Sequence, residues 1–155
     1  MLAPGRRPRA AEQPRGEALG HTDGMSLTTP PSADQGGQPP PPLLLACLCA
    51  DWCRTCGDYR ATFDAVAAGF GAAQVRPLWV DIEDDEDALG AIDVVDFPTL
   101  LIARGDTIGF YGPVLPHAQT LRGMLDRALA DSLGEVRRAD LAGLPGRLRA
   151  LACGR

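Results

Sequence analysis

The sequence predicts an α/β fold: a mixed four-stranded sheet with helices on both faces. Three observations carry that prediction. Apolar runs of strand length alternate with helical periodicity in the order strand, helix, strand, helix, strand, strand, helix. A C-x-x-C pair, Cys53 and Cys56, sits where the first apolar run hands over to the first helical stretch. Residues 1–42 hold nine of the fourteen prolines and almost no apolar periodicity, so the fold begins after them.

The first strand is the unbroken apolar run at 43–50, of the kind a sheet buries on both faces. In the helix after it, Tyr59, Phe63, Val66, Ala67 and Phe70 fall on one face, and Gly69 and Gly71 mark its end. Residues 75–80 read as a second strand; Pro77 places it at a sheet edge, because proline donates no ladder hydrogen bond. The acidic run at 81–87 lacks the alternating spacing and glycine of a calcium loop. It reads as a solvated helix start favoured by the helix dipole, with a short helix completed over 88–92.

A third strand follows at 100–103. Gly105-Asp106 turns the chain back into a hairpin strand at 107–111, and Gly112-Pro113 breaks it. The last clear helix spans about 116–133, with Leu121, Met124, Leu125, Ala128 and Leu129 on one face. Beyond Gly134, Leu141, Leu144, Leu148 and Leu151 hint at a short helix interrupted by Gly143, Pro145 and Gly146. The chain therefore divides into a disordered segment at 1–42 ending in a stiff proline spacer, a domain at 43–133, and a C-terminal extension at 134–155. Met25 is an alternative start.

Composition excludes several classes. A formal net charge of −5 argues against general attraction to nucleic acid. All fifteen basic residues are arginine. No apolar segment is long enough to span a membrane, and no apolar core follows the N-terminal arginines as a secretory signal requires. Five cysteines are too few for a disulfide-built scaffold of 155 residues. The expected compartment is the cytoplasm, where a C-x-x-C pair is catalytic or metal-binding rather than structural.

The pair's place dictates its chemistry. A helix N-terminus carries unpaired N–H groups and a partial positive charge. Both favour a thiolate at Cys53, and Arg54 adds a cation beside it. Cys56, one turn in, is placed to attack a mixed disulfide at Cys53 and release substrate. Cys47 and Cys49 read as buried small hydrophobes, the usual fate of free cysteines in an apolar strand. Cys153 reads as a spectator thiol.

Trp52-Cys53-Arg54-Thr55-Cys56, followed downstream by Phe97-Pro98-Thr99 and the Gly105 turn, resembles the thioredoxin family over residues 43–131. The resemblance implies a thioredoxin-like fold in a minimal form, without the family's extra N-terminal strand and helix. It implies a thiol–disulfide oxidoreductase with Cys53 as nucleophile and Cys56 as resolving thiol. It implies a cis Pro98, a substrate groove shaped by Trp52, Phe97, Pro98 and Gly112, and reduction of protein disulfides in cell redox homeostasis. A separate reductase would supply electrons. No cofactor, metal, nucleic acid or membrane enters, and a monomer is expected.

The chain departs from the family pattern in four places. Cys47 stands where a buried acid is common, six residues before Cys53. The acid's partner lysine falls near Pro77, and the chain contains no lysine. Arg54-Thr55 replaces Gly-Pro inside the motif, and Ala61 replaces a helix proline. Two other classes remain at this point. One is a metal-binding module using Cys47, Cys49, Cys53 and Cys56. The other is an adaptor that keeps the fold without redox turnover.

Overall fold

A computed structural model describes residues 37–155; the disorder expected for residues 1–36 lies outside the described residues. The elements are β1 (Leu43–Cys49), α1 (Arg54–Phe70), β2 (Val75–Asp81), α2 (Glu86–Leu89), β3 (Thr99–Arg104), β4 (Thr107–Pro113), α3 (Ala118–Leu129) and α4 (Leu144–Cys153). A short 3-10 turn, Ala139–Leu141, precedes α4.

The sheet order is β2-β1-β3-β4. β1 pairs parallel with β2 and antiparallel with β3, and β3 pairs antiparallel with β4. β2 is an edge, as Pro77 requires. β1 is flanked on both sides and covered on both faces, which explains its continuous apolar sequence. Odd-numbered Leu43, Leu45, Cys47 and Cys49 face one core with Tyr59 and Phe63 of α1 and Leu121 and Leu125 of α3. Even-numbered Leu44, Ala46 and Leu48 face a second core with Leu89 of α2 and Leu144 and Leu148 of α4. The two cores follow from the strand's period of two.

Several boundaries differ from the sequence reading. α1 runs through Gly69 and ends at Gly71, whose φ of 78° suits a residue without Cβ. β4 is not broken at Gly112-Pro113: Gly112 pairs with Leu100, and Pro113 closes the strand opposite Thr99. An edge strand tolerates a proline there, since no further strand needs its N–H. α2 begins at Glu86, inside the acidic run as expected, but ends at Leu89, three residues short of the expected end, and is a single turn. α3 stops at Leu129, and the chain turns through Ala130 and Asp131. The hairpin turn at Gly105 is as expected, with φ of 56°. Pro41, inside the expected spacer, is held by its carbonyl, which accepts from Arg104 Nη1 at 3.2 Å.

The largest difference lies at the C-terminal end. The glycines and proline that weaken the periodicity stand at the start of α4, not in its middle. Gly143 is the N-cap in a left-handed conformation, φ 71°, and Pro145 occupies the first turn, where its missing N–H is harmless. Leu141, Leu144 and Leu148 are fully buried. Arg147 fastens the helix by donating from Nε to the Ala88 carbonyl at 2.9 Å. Arg155 pairs with the buried Asp85 at 2.6 Å and donates to the Trp79 carbonyl at 2.8 Å.

This packing makes the C-terminal residues part of the core. Leu148→Ala is expected to cost ~2–5 kcal/mol, the range for emptying a buried leucine site. Urea denaturation of the full chain measures it. A loss within the scatter of surface substitutions, about 0.5 kcal/mol, would mean that α4 is not integral to the fold.

Candidate functional site

Cys53 stands at the tip of α1. The chain leaves β1 through a tight turn in which the Cys53 N–H bonds to the Ala50 carbonyl at 2.9 Å. Cys53 is then the N-cap, with extended backbone. Its carbonyl accepts the Gly57 N–H at 3.1 Å, opening the helix. Its Sγ accepts the Cys56 N–H at 3.4 Å, so the sulfur takes the place of a capping oxygen. Cys53 is half-buried, Arg54 is exposed, and Cys56 faces inward at 1% exposure. Among the described residues Arg54 has no ion-pair partner.

Cys56 is bonded to Cys49, not to Cys53. This corrects the reading of Cys49 as a simple buried hydrophobe. The pleat aims Cys47 and Cys49 at the same face of β1, and that face lies under α1. The first turn of α1 lowers Cys56 onto the end of the strand, with its Cα 6.0 Å from that of Cys49. Cys47 Sγ lies 3.6 Å from Cys49 Sγ. Cys47 keeps its expected place as a free buried thiol, and Cys153 is free and exposed.

Burial pushes the Cys47 thiol up to about 12. The Arg60 guanidinium pulls the other way, while Asp64 and Cys53 act with burial. Tyr59 beside it is also raised, by burial first and then by Cys47. The Tyr59 hydroxyl is buried without a hydrogen-bond partner among the described residues. The register places Cys47 against Trp79, two residues beyond Pro77, which faces Leu45. Trp79 packs edge-on to Phe63, and the Arg60 guanidinium lies 4.8 Å from its ring centre. Where an acid–lysine pair was to be sought, this chain has a thiol, an indole and an arginine. The carboxylates near Cys56 come instead from Asp51 in the turn, Asp81 at the end of β2 and Asp84 in the loop after it, which line a polar hollow with Cys56 and Arg60.

The rim of the site is aromatic and apolar. The Phe97–Pro98 peptide bond is cis. Trp52 is 66% exposed and meets Phe97 edge-on, with ring centres 5.5 Å apart. That contact brings the loop before β3 to the helix tip. The Pro98 carbonyl accepts the Val114 N–H at 3.1 Å, tying this loop to the segment just past Gly112. Val95 and Leu115 are exposed on the same two segments.

Sequence reasoning missed two residues of this site. Cys49 had a usable signal, because it shares a strand face with Cys47 directly before the motif. Glu83 had none: its carboxylate accepts the Trp52 indole N–H at 3.2 Å across 31 residues of sequence. Among the described residues, no group of three or more His, Cys, Asp or Glu is arranged to hold a metal ion. With Cys49 and Cys56 bonded together, the four-cysteine metal reading loses two ligands.

The chain matches no protein-family sequence profile and no curated protein. Solved structures do match its fold. The germline-specific thioredoxin Deadhead of Drosophila melanogaster is 19% identical, with 56% of this chain and 80% of that chain aligned at a TM-score of 0.50. Thioredoxin-2 of a malaria parasite, described as a component of its protein secretion machinery, is 16% identical over 60% of this chain and 89% of that one, also at 0.50. A further malarial protein is 17% identical over 56% and 96% at the same score. The fold is thioredoxin-like, and the likeness at these identities is one of fold.

The raised Cys47 has a consequence for alkaline stability. Below its ordinary value of 9.0, folded and unfolded chains both keep the proton, and the site's contribution is complete. Between 9.0 and about 12 the unfolded chain loses the proton and the folded chain holds it, so stability falls as pH rises. The expected slope from this group is about 1.4 kcal/mol per pH unit. Urea unfolding across that window should show a steeper loss in wild type than in Cys47→Ala. Equal slopes would remove Cys47 as the cause.

Proposed function

We propose that this thioredoxin-fold chain is a thiol–disulfide oxidoreductase that reduces protein disulfides. The observation that carries the reading is the Cys53 sulfur at the N-cap of α1, accepting the backbone N–H of the inward-facing Cys56. A sulfur at this place faces the unpaired N–H groups of the first helical turn and stands where solvent and a substrate disulfide can reach it. The rim of Trp52, Phe97 and Pro98 supplies an apolar surface for an extended chain segment around a substrate disulfide. Gly112 flanks the same surface.

Cys53 thiolate attacks one sulfur of the substrate disulfide. A mixed disulfide forms, and the other substrate thiolate leaves and takes up a proton. Cys56, deprotonated toward the polar hollow, then attacks Cys53 Sγ. The second substrate thiol is released, and the protein is left oxidised by two electrons. A separate reductase returns two electrons and two protons. The compartment in this reading is the cytoplasm, whose poise keeps such a dithiol reduced. The fold likeness and the sulfur cluster support the reading; the physiological substrates and the donor are part of the proposal.

The test is insulin reduction driven by dithiothreitol, followed by turbidity. Wild type is expected to accelerate precipitation, and Cys53→Ser to fall to the uncatalysed background. Cys56→Ser should accumulate a mixed disulfide with substrate on non-reducing gels, whereas Cys53→Ser should form none. Turnover undiminished in Cys53→Ser would exclude the assigned nucleophile.

A further inference from the structure

Cys49 has no step in the proposed reaction. Its sulfur is bonded to Cys56, the resolving residue, while Cys53 remains a free thiol 3.4 Å from the Cys56 amide. Cys56 therefore stands between two sulfurs, one at the helix tip and one at the strand end. Cys49 and Cys56 are both about 1% exposed, whereas Cys53 is reached from solvent.

We propose that Cys49 is a third catalytic cysteine, which takes the disulfide from the Cys53–Cys56 pair into the core and returns Cys53 to its reactive state. The inference rests on the oxidoreductase reading. After substrate reduction the protein carries Cys53–Cys56. Cys49 sulfur attacks Cys56 Sγ, the bond to Cys53 breaks, and the Cys49–Cys56 bond forms. The proton lost by Cys49 goes to the sulfur that leaves. One thiol and one disulfide are consumed and one of each is formed, so no further oxidant is needed.

Three features favour this direction. The leaving sulfur is Cys53, and the helix N-terminus receives it with the Cys56 N–H, which lowers the cost of its departure. The bond that forms is shielded from competing thiols. The exchange also stops at Cys49. Cys47 lies 3.6 Å from Cys49 and stays a free thiol, so the bond at Cys56 is the one to Cys49. The outcome is an oxidised protein whose helix-tip cysteine is still free to attack a second disulfide. A two-cysteine enzyme in its oxidised form has no such thiol.

Disulfide mapping of the full chain tests this. Reduced protein is treated with stoichiometric diamide, and samples are quenched in acid over time. Free thiols are then blocked with N-ethylmaleimide in urea. Trypsin cuts after Arg54 and separates Cys56, in residues 55–60, from the peptide that carries Cys47, Cys49 and Cys53. Fragment masses then locate the bond and the label. The expected result is an early Cys53–Cys56 bond replaced by Cys49–Cys56, with Cys53 fully labelled at the end. In oxidised Cys49→Ala, checked for folding by circular dichroism, labelling of Cys53 should be lost because the bond cannot move. A Cys53–Cys56 bond that persists in wild type, with Cys49 carrying the label throughout, would overturn the exchange and leave the oxidoreductase reading standing. Failure of Cys56→Ser to trap substrate would instead remove that reading, and the exchange with it.

Discussion

The two-sided burial of β1 is the constraint on which the rest of the molecule depends. Every residue from Leu43 to Cys49 is at most 4% exposed. β1 hydrogen-bonds to β2 on one side and β3 on the other, so its backbone groups are paired without help from water. Its side chains divide by parity between two cores, each closed by helices from distant parts of the sequence. A polar residue within this strand would need a buried partner. Thiols are the most polar groups β1 carries, and burial keeps Cys47 protonated.

The same strand delivers the chemistry. In an open sheet with parallel neighbours, the crevice outside the carboxyl end of a central strand is the natural site, because loops diverge there and helix N-termini converge. Cys49 ends β1 and Cys53 caps α1, so the buried strand leads directly to a half-buried sulfur at the helix tip. The rim is assembled from three separate segments. Trp52 comes from the turn, Phe97 and Pro98 from the loop before β3, and Glu83 from the loop after β2. Trp52, Val95 and Leu115 stay exposed beside these contacts.

Three residue types replace the acid–lysine pair sought beside the cysteines. Cys47 is neutral, Trp79 covers it from the neighbouring strand, and Arg60 supplies positive charge from α1. Proton acceptors then lie at the solvent-facing end, in the hollow lined by Asp51, Asp81 and Asp84. In the proposed mechanism this separates the roles. The core stores sulfur–sulfur bonds, and the polar hollow handles protons.

By itself the sequence determined the order of the elements, the edge position of β2 and the placing of Cys53 at a helix tip with Cys56 turned inward. These are local properties: strand and helix periods, a proline's missing donor, and a three-residue spacing across a helix start are written in adjacent residues. The resemblance around Trp52 and Phe97-Pro98 added the cis bond and the rim. Tertiary structure alone decided which sulfur meets Cys56, that Trp79, two residues past Pro77, is the one beside Cys47, that Glu83 holds Trp52, and that α4 completes the second core. Cys47 and Cys49 share a face by pleat alone, but which of them comes within bonding reach depends on where α1 settles on the sheet. That position is set by the packing of Tyr59, Phe63 and α3 against β1, a sum of contacts between residues far apart in the chain, and no local pattern encodes it.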